Sequence, residues 1–301
     1  MRMVGAASEA AEVRGEPAPH VEVQPAATVM LVRDAATGPD VSLEVLMLRR
    51  HPESVFAADA WVFPGGRVDD ADGLATPITA GPSDEEASRA LGLPSGGLAY
   101  WVAAARECFE EAGILLARHA DTNEWLDTTT EWGSARLARN RRDVHSGAAS
   151  LAAVLEAEGL VLDLSGVHYV SHWITPPGRT ARRFDTRFFV AVAPPDQPVS
   201  HDAAETVESV WTTPAAALAR GAGGEITLLV PTIANLRTLA QFASTEELVA
   251  AARAMGPVPV AAPRFRGDPS VPTGALAPIP PSDTPEPGGS GVSPEETACP
   301  T

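Results

Sequence analysis

The chain has no lysine: its 22 basic residues are all arginine, set against 39 acidic ones, for a formal charge of -17 over 301 residues. A nucleic-acid surface needs a basic patch that exchanges for counterions on the phosphates, and none stands out, so nucleic-acid binding is not expected. Cysteine is nearly absent. Cys108 and Cys299 have neither disulfide nor metal-cluster spacing, which points to a reducing cytoplasm. No stretch of about eighteen apolar residues occurs, and Met1-Arg2-Met3-Val4-Gly5 leads into acidic residues instead of an apolar run. A cytoplasmic protein without a membrane partner is therefore expected, and the terminal Ala298-Cys299-Pro300-Thr301 carries no peroxisomal Ser-Lys-Leu address.

Both ends are poor in periodic apolar sequence. Residues 1–24 mix Ala, Glu, Gly and Pro, and residues 256–301 are rich in Pro, Gly and Ser, as in Pro278-Ile279-Pro280-Pro281-Ser282. Neither stretch buries enough apolar surface to offset its ordering entropy, so both read as disordered tails around one domain at 25–255.

Within that domain Ala27–Arg33 and Leu43–Arg49 are β-rich runs separated by a turn-like Thr37-Gly38-Pro39-Asp40, and Trp61-Val62-Phe63 ends at Pro64-Gly65-Gly66. Residues 67–98 read as loop apart from a Ser83-x-x-Glu86 capping box. From Ala99 to about Leu116 the period is helical, with Trp101, Ala105, Cys108, Phe109 and Ala112 on an inward stripe and Gly113 as a breaker. Helical segments near 134–143 and 150–158 suggest an inserted helical lobe over 119–164. Strands return at Phe184–Val192 and Val207–Trp211. Pro214 and Pro231 suit first helical turns, and Ser244 suits a cap.

The chemistry lies in Arg106-Glu107-Cys108-Phe109-Glu110-Glu111-Ala112-Gly113-Ile114. Its glutamates stand at i, i+3 and i+4, within roughly a 100° arc of one helical face. A Glu-Glu pair alone would be an ordinary solvated face. Three crowded carboxylates repel one another unless a cation sits among them, and Mg²⁺ or Mn²⁺ takes oxygen ligands while leaving positions open for phosphate oxygens. Five fixed and two apolar positions match by chance in a chain this long with a probability below about 10⁻⁴.

The pattern Arg-Glu-apolar-x-Glu-Glu-x-Gly-apolar resembles the second half of the Nudix box. Gly65 and Gly66 supply the glycines of the first half, and Asp72 stands where that half has a glutamate. Seven residues normally separate the halves; here residues 73–105 intervene, and residues 73–98 read as a surface excursion, which costs little because closure entropy grows only with the logarithm of length. A box interrupted in this way is similar to that of the Nudix branch that includes the peroxisomal coenzyme A diphosphatases of animals. The likeness extends through Trp173-Ile174-Thr175-Pro176, Arg183–Phe189 and Trp211.

The resemblance implies an α/β (α+β) Nudix fold, a mixed β-sheet sandwiched between helices. It implies a hydrolase that cleaves the diphosphate linkage of a small-molecule nucleoside diphosphate derivative, with coenzyme A or acyl-coenzyme A leading and ADP-ribose, dinucleotides or a non-catalytic sensor as alternatives. Carried over residue by residue, Glu107, Glu110 and Glu111 become metal ligands, joined by the Gly65 carbonyl. Arg106 becomes their orienting arginine, and Gly66, Asp72 and Gly113 become structural box positions.

The general base is sought at Glu107, Glu205 or Glu208, with Asp202 a further loop carboxylate. Arg50, Arg67 and Arg183 are the substrate-binding candidates, since a guanidinium offers a planar fork of donors, and Arg49 and Arg182 are further arginines of this kind. Cys108, at an apolar box position, reads as a buried thiol. The shorter coenzyme A signature matches at Leu46, Arg50 and Phe63 to Gly66 but departs at Leu48, Val55 and Asp59, the last standing where the signature has glycine. A homodimer is also expected.

Overall fold

A computed structural model describes residues 21–37, 40–54, 57–176, 182–200 and 205–262. Residues 1–20 and 263–301, most of both predicted tails, lie outside the described residues, as do Val55 and Asp202.

The first strand, β1 (Val23–Thr37), is apolar on both sides because both faces of its sheet are covered. Ala27, Val29 and Leu31 point to one core, and Met30 and Val32 to another. β2 (Asp40–Arg50) pairs antiparallel with the second half of β1, and its end carries β3 (Ala60–Val62). β4 (Gly65–Arg67) lies antiparallel on the first half of β1, setting Thr28 opposite Gly65 and Ala26 opposite Arg67.

A 3₁₀ helix (Asp70–Ile78), β5 (Thr79–Ala80) and α1 (Asp84–Leu91) form the excursion inside the box. Ser83 caps α1 as a complete capping box with Glu86. The glutamate-bearing helix is α2 (Leu98–Ala112). It ends where Gly113 turns left-handed, with φ 72°. The helical period read as far as Leu116 therefore stops four residues early, and Ile114, Leu115 and Leu116 are buried in the non-helical stretch that follows.

The inserted lobe is mixed instead of helical. β6 (Ala117–His119), α3 (Glu131–His145), α4 (Leu151–Glu158) and β7 (Leu160–Asp163) belong to it, and a small sheet orders its strands β5-β7-β6. The main sheet is completed by β8 (His168–Ile174), β9 (Arg183–Val192) and β10 (Thr206–Thr212). After α5 (Pro214–Ala222) come β11 (Thr227–Leu228), α6 (Val230–Leu239), α7 (Thr245–Ala254) and β12 (Val260–Ala261). Its order is β11-β3-β2-β1-β9-β8-β12, with β10 on β2 and β4 on β1, and β9 runs parallel to β1.

Helices cover both faces. α2 packs its stripe of Trp101, Ala105, Cys108, Phe109 and Ala112 onto Ala27, Val29 and Leu31, while Ala217 of α5, Leu236 and Leu239 of α6 and Leu248 of α7 close the other side. Burying a side chain such as Phe109 contributes about 1.5–3 kcal/mol. Pro214, Pro231 and Ser244 stand at the helix starts assigned to them. Two tail boundaries move inward on the tails: β1 begins at Val23, and β12 lies beyond residue 255, paired with His172 and Trp173.

Candidate active site

Two short-range facts bring the halves of the box together. β4 is held flat against β1 so tightly that a Cβ at Gly65 would lie 2.4 Å from the Thr28 hydroxyl and 2.7 Å from the Ala27 carbonyl. A Cβ at Gly66 would lie 2.4 Å from the Glu107 carboxylate. The backbone of β1 leaves no room for a side chain at Gly65, whereas at Gly66 the crowding comes from the end of the Glu107 side chain, which a larger residue would displace. The Gly65 N–H donates to Glu111 Oε2 at 2.9 Å.

Arg106 is the clasp across the excursion. It reaches Asp72 through Nε at 2.8 Å and Nη2 at 3.1 Å, and Nη2 also donates to the Arg67 carbonyl at 2.7 Å. Its Nη1 donates to Glu107 at 2.8 Å and Glu110 at 3.0 Å. Burial alone would lower the Arg106 pKa, but Asp72, Glu107 and Glu110 outweigh it and hold the charge on. Asp72 is 2% exposed and binds the Asp69 N–H at 2.8 Å, so the shorter acid still fills the place of the box glutamate.

The three box glutamates are not equivalent. Burial, with the nearby Glu110 and Glu205 charges, pushes Glu107 up to about 7 against the pull of Arg106. Glu111 is raised well above its ordinary value by burial and Glu107, and Arg50 and the Gly65 N–H offset only part of this. Glu110 turns aside, its second oxygen lying 3.5 Å from His145 Nδ1. Glu107 and Glu111 thus meet at the glycine bend while Glu110 faces α3. Accordingly, no ready cluster of three metal-ligating side chains is found among the described residues.

Glu205 stands close enough to act on both Glu107 and Glu111, its carbonyl fixed by the His51 N–H at 2.8 Å. Arg50 stands beside Glu111, with its buried Nε unpartnered among the described residues. Arg67 is exposed and reaches Asp69 at 3.5 Å. Glu208 is bound to Arg49 at 3.4 Å. Arg183 is not brought to the glutamates. It pairs with Val23, five residues along β1 from the partner of Gly65, or about 17 Å at strand rise, and donates to the Thr175 carbonyl at 3.1 Å.

Asp59 explains one departure from the shorter signature. Its φ is 61°, the left-handed conformation that glycine adopts freely and Asp tolerates, and its carboxylate binds Arg49 at 2.7 Å. Burial pushes the Cys108 thiol up to about 12, so it stays protonated and packs as an apolar group.

The sequence profile of the NUDT19 Nudix domain matches residues 73–239, more than half of the chain. The chain belongs to the NUDT19 Nudix family. Human acyl-coenzyme A diphosphatase NUDT19 is 32% identical over 242 residues, covering 70% of this chain and 64% of that protein. The Gallus gallus protein of the same name is 31% identical over 238 residues, covering 68% and 63%. The chain thus spans a little under two thirds of the length of these curated relatives. A crystal structure of a NUDIX hydrolase from Alicyclobacillus acidocaldarius superposes with a TM-score of 0.63 at 28% identity, covering 77% of this chain and 97% of that one.

The profile match begins one residue after Asp72, so the first half of the box enters this NUDT19 Nudix domain through geometry, by way of Arg106. A hard divalent cation fits the donors at the bend. They are all oxygens, and the negative charge on Glu107 and Glu111 is buried and only partly offset by Arg106 and Arg50. No helix among the described residues is long and apolar enough to cross a membrane.

Two partners of the site were not singled out from the sequence. Arg141 of α3 donates through Nε to the Glu110 carbonyl at 2.7 Å, and His145 meets the Glu110 carboxylate. Their signal was present as the Arg139-Asn140-Arg141-Arg142 run, which reads equally as a solvated helix face.

Proposed function

We propose that this protein is a divalent-metal-dependent diphosphatase that cleaves a nucleoside diphosphate derivative, with coenzyme A or its acyl esters as the leading substrate. The observation that carries the reading is the convergence of two largely buried carboxylates, Glu107 and Glu111, raised in pKa, on the Gly65–Gly66 bend, where β1 leaves no room for a side chain at Gly65. The substrate class rests on the NUDT19 relatives, which are named for acyl-coenzyme A diphosphatase activity.

Glu107, Glu111 and the Gly65 carbonyl would hold Mg²⁺ or Mn²⁺, with Glu110 joining by rotation away from His145. A bound divalent ion supplies neutralisation of the diphosphate oxygens. Around it Arg106 keeps Glu107 oriented, Arg50 adds a fixed positive charge toward the substrate phosphates, and Glu205 takes the proton from the attacking water. Arg67 at the rim contacts the outer part of the substrate. A cytoplasmic location and a homodimer belong to the same proposal.

The test is a panel of acyl-coenzyme A, coenzyme A, ADP-ribose, NADH and diadenosine polyphosphates with Mg²⁺ or Mn²⁺. We expect metal-dependent release of a nucleoside monophosphate product, fastest from the coenzyme A compounds and lost in Glu110→Gln and Glu111→Gln. Preference for ADP-ribose or a dinucleotide would overturn the substrate, and tight binding of any of these without turnover would favour a sensor.

A further inference from the structure

The C-terminal turn of α2 carries Glu110 and Glu111 and, like every helix end, leaves carbonyls without partners inside the helix. Three of the last four are satisfied in three ways. The Phe109 carbonyl accepts from the Gly113 N–H at 3.0 Å, the ordinary glycine cap. The Ala112 carbonyl accepts from the Ser200 N–H at 2.9 Å. The Glu110 carbonyl accepts from Arg141 Nε at 2.7 Å, and the same guanidinium donates through Nη1 to the Ser200 hydroxyl at 2.9 Å.

One side chain of the inserted lobe therefore splints two pieces of the site. It grips the turn that presents the glutamates and Ser200, which stands five residues before Glu205 in the sequence. No space is left for slippage, because a Cβ at Gly113 would lie 2.6 Å from the Ser200 hydroxyl and 3.2 Å from Arg141 Nη1. A guanidinium suits such a splint, because two donors of one rigid plane fix two acceptors relative to each other, which an ammonium cannot do.

We propose that Arg141 is a positioning residue, through which α3 sets the geometry of the metal-binding glutamates. This rests on the reading of Glu107, Glu110 and Glu111 as ligands. It assigns the inserted lobe a part in the reaction: α3 acts as an outer brace of the box, touching its backbone and not the substrate.

The test is Mn²⁺ binding followed by calorimetry, with kcat and KM for the best substrate of the panel, in full-length Arg141→Met, Arg141→Lys, Ser200→Ala and the neighbouring Arg142→Met. Loss of a brace around a metal ligand weakens metal affinity or kcat by roughly ten- to a hundredfold. Arg141→Met is expected to do this with KM little changed, Arg141→Lys to recover part, Ser200→Ala to lose less, and Arg142→Met to match wild type. If Arg141→Met does not fold, the lysine and Ser200 variants decide the question.

Wild-type affinity and kcat in the Arg141 variants would overturn the inference, as would an equal loss in Arg142→Met, which would mark a general charge effect. Mn²⁺ binding that weakens as expected in a protein that hydrolyses nothing in the panel would sink the diphosphatase reading alone. Full turnover that ignores Arg141 would sink the brace alone.

Discussion

Carboxylates wholly or partly withdrawn from solvent form two contrasting pairs on this fold. Asp163, at the end of β7, accepts from Arg118 at 2.5 Å and from the Ser165 N–H at 3.0 Å. Asp185, on β9, meets His172 at 2.5 Å and the Arg187 guanidinium. Burial would raise both pKa values, yet these partners bring each below its ordinary value. Glu107 and Glu111 are buried as well, and theirs rise. The protein completes the first set with its own cations and donors and leaves the second set short of positive charge. Asp163 and Asp185 form a closed set and Glu107 and Glu111 an open one. Asp72, bound by Arg106, is also raised by burial, so what sets the glutamates apart is their convergence on the Gly65–Gly66 bend and not the direction of the shift alone.

The widest separation between the sets is expected in catalysis. Glu107→Gln should lower kcat by roughly a thousandfold or more, the several kcal/mol of transition-state stabilisation that metal-assisted chemistry supplies. Asp163→Asn should leave kcat within about twofold. Equal kinetic losses in the two variants would erase the distinction.

Next comes folding. Asp72→Ala leaves Arg106 without its buried bidentate partner and should cost about 3–5 kcal/mol in urea unfolding. Glu111→Gln removes a charge that burial disfavours and should cost nothing. A smaller effect is linked to the cation. At a hundred times its dissociation constant, Mn²⁺ should stabilise the wild type by about 2.7 kcal/mol. For a domain of this size that is a rise in Tm of about 5–10 °C, absent in a Glu107→Gln/Glu111→Gln double variant.

The smallest effect is in pH. Because the native Asp163 pKa lies below its ordinary 3.8, its contribution is fully present above that value and disappears as the pH falls through the lower native one. The stability gap between wild type and Asp163→Asn should therefore hold at about pH 5–7 and close in strong acid. A gap that widened on acidification would place Asp163 with the open set.

The helices were the most legible part of the sequence, since caps and periodicity are local. Ser83, Gly113, Pro214, Pro231 and Ser244 all mark the ends their chemistry suggests. β4 was hidden, because Gly65-Gly66-Arg67 has no strand propensity and is extended only through pairing with β1. β7 sits directly behind a helix ending at Gly159, where a short apolar run reads as either element.

In the site, the identity of the glutamates was readable but their orientations were not. Glu110 turns toward His145, a contact between residues 35 apart in sequence. Arg183 reads from its type as an anion binder and instead ties two backbone carbonyls at the start of β9, Thr175 and Val21. A guanidinium has many possible acceptors, and only the tertiary structure chooses among them.

The Arg106–Asp72 clasp joins residues 34 apart in sequence. The site therefore depends on a long-range closure: the bend rests on β1 and β4, and α2 on its own period, while the two halves of the box meet through this clasp and the Gly65–Glu111 bond. Closing the clasp loops out the residues between, an entropic cost that the local elements do not bear. Changing the length of that excursion would retune the rate at which the enzyme matures while leaving its finished chemistry alone.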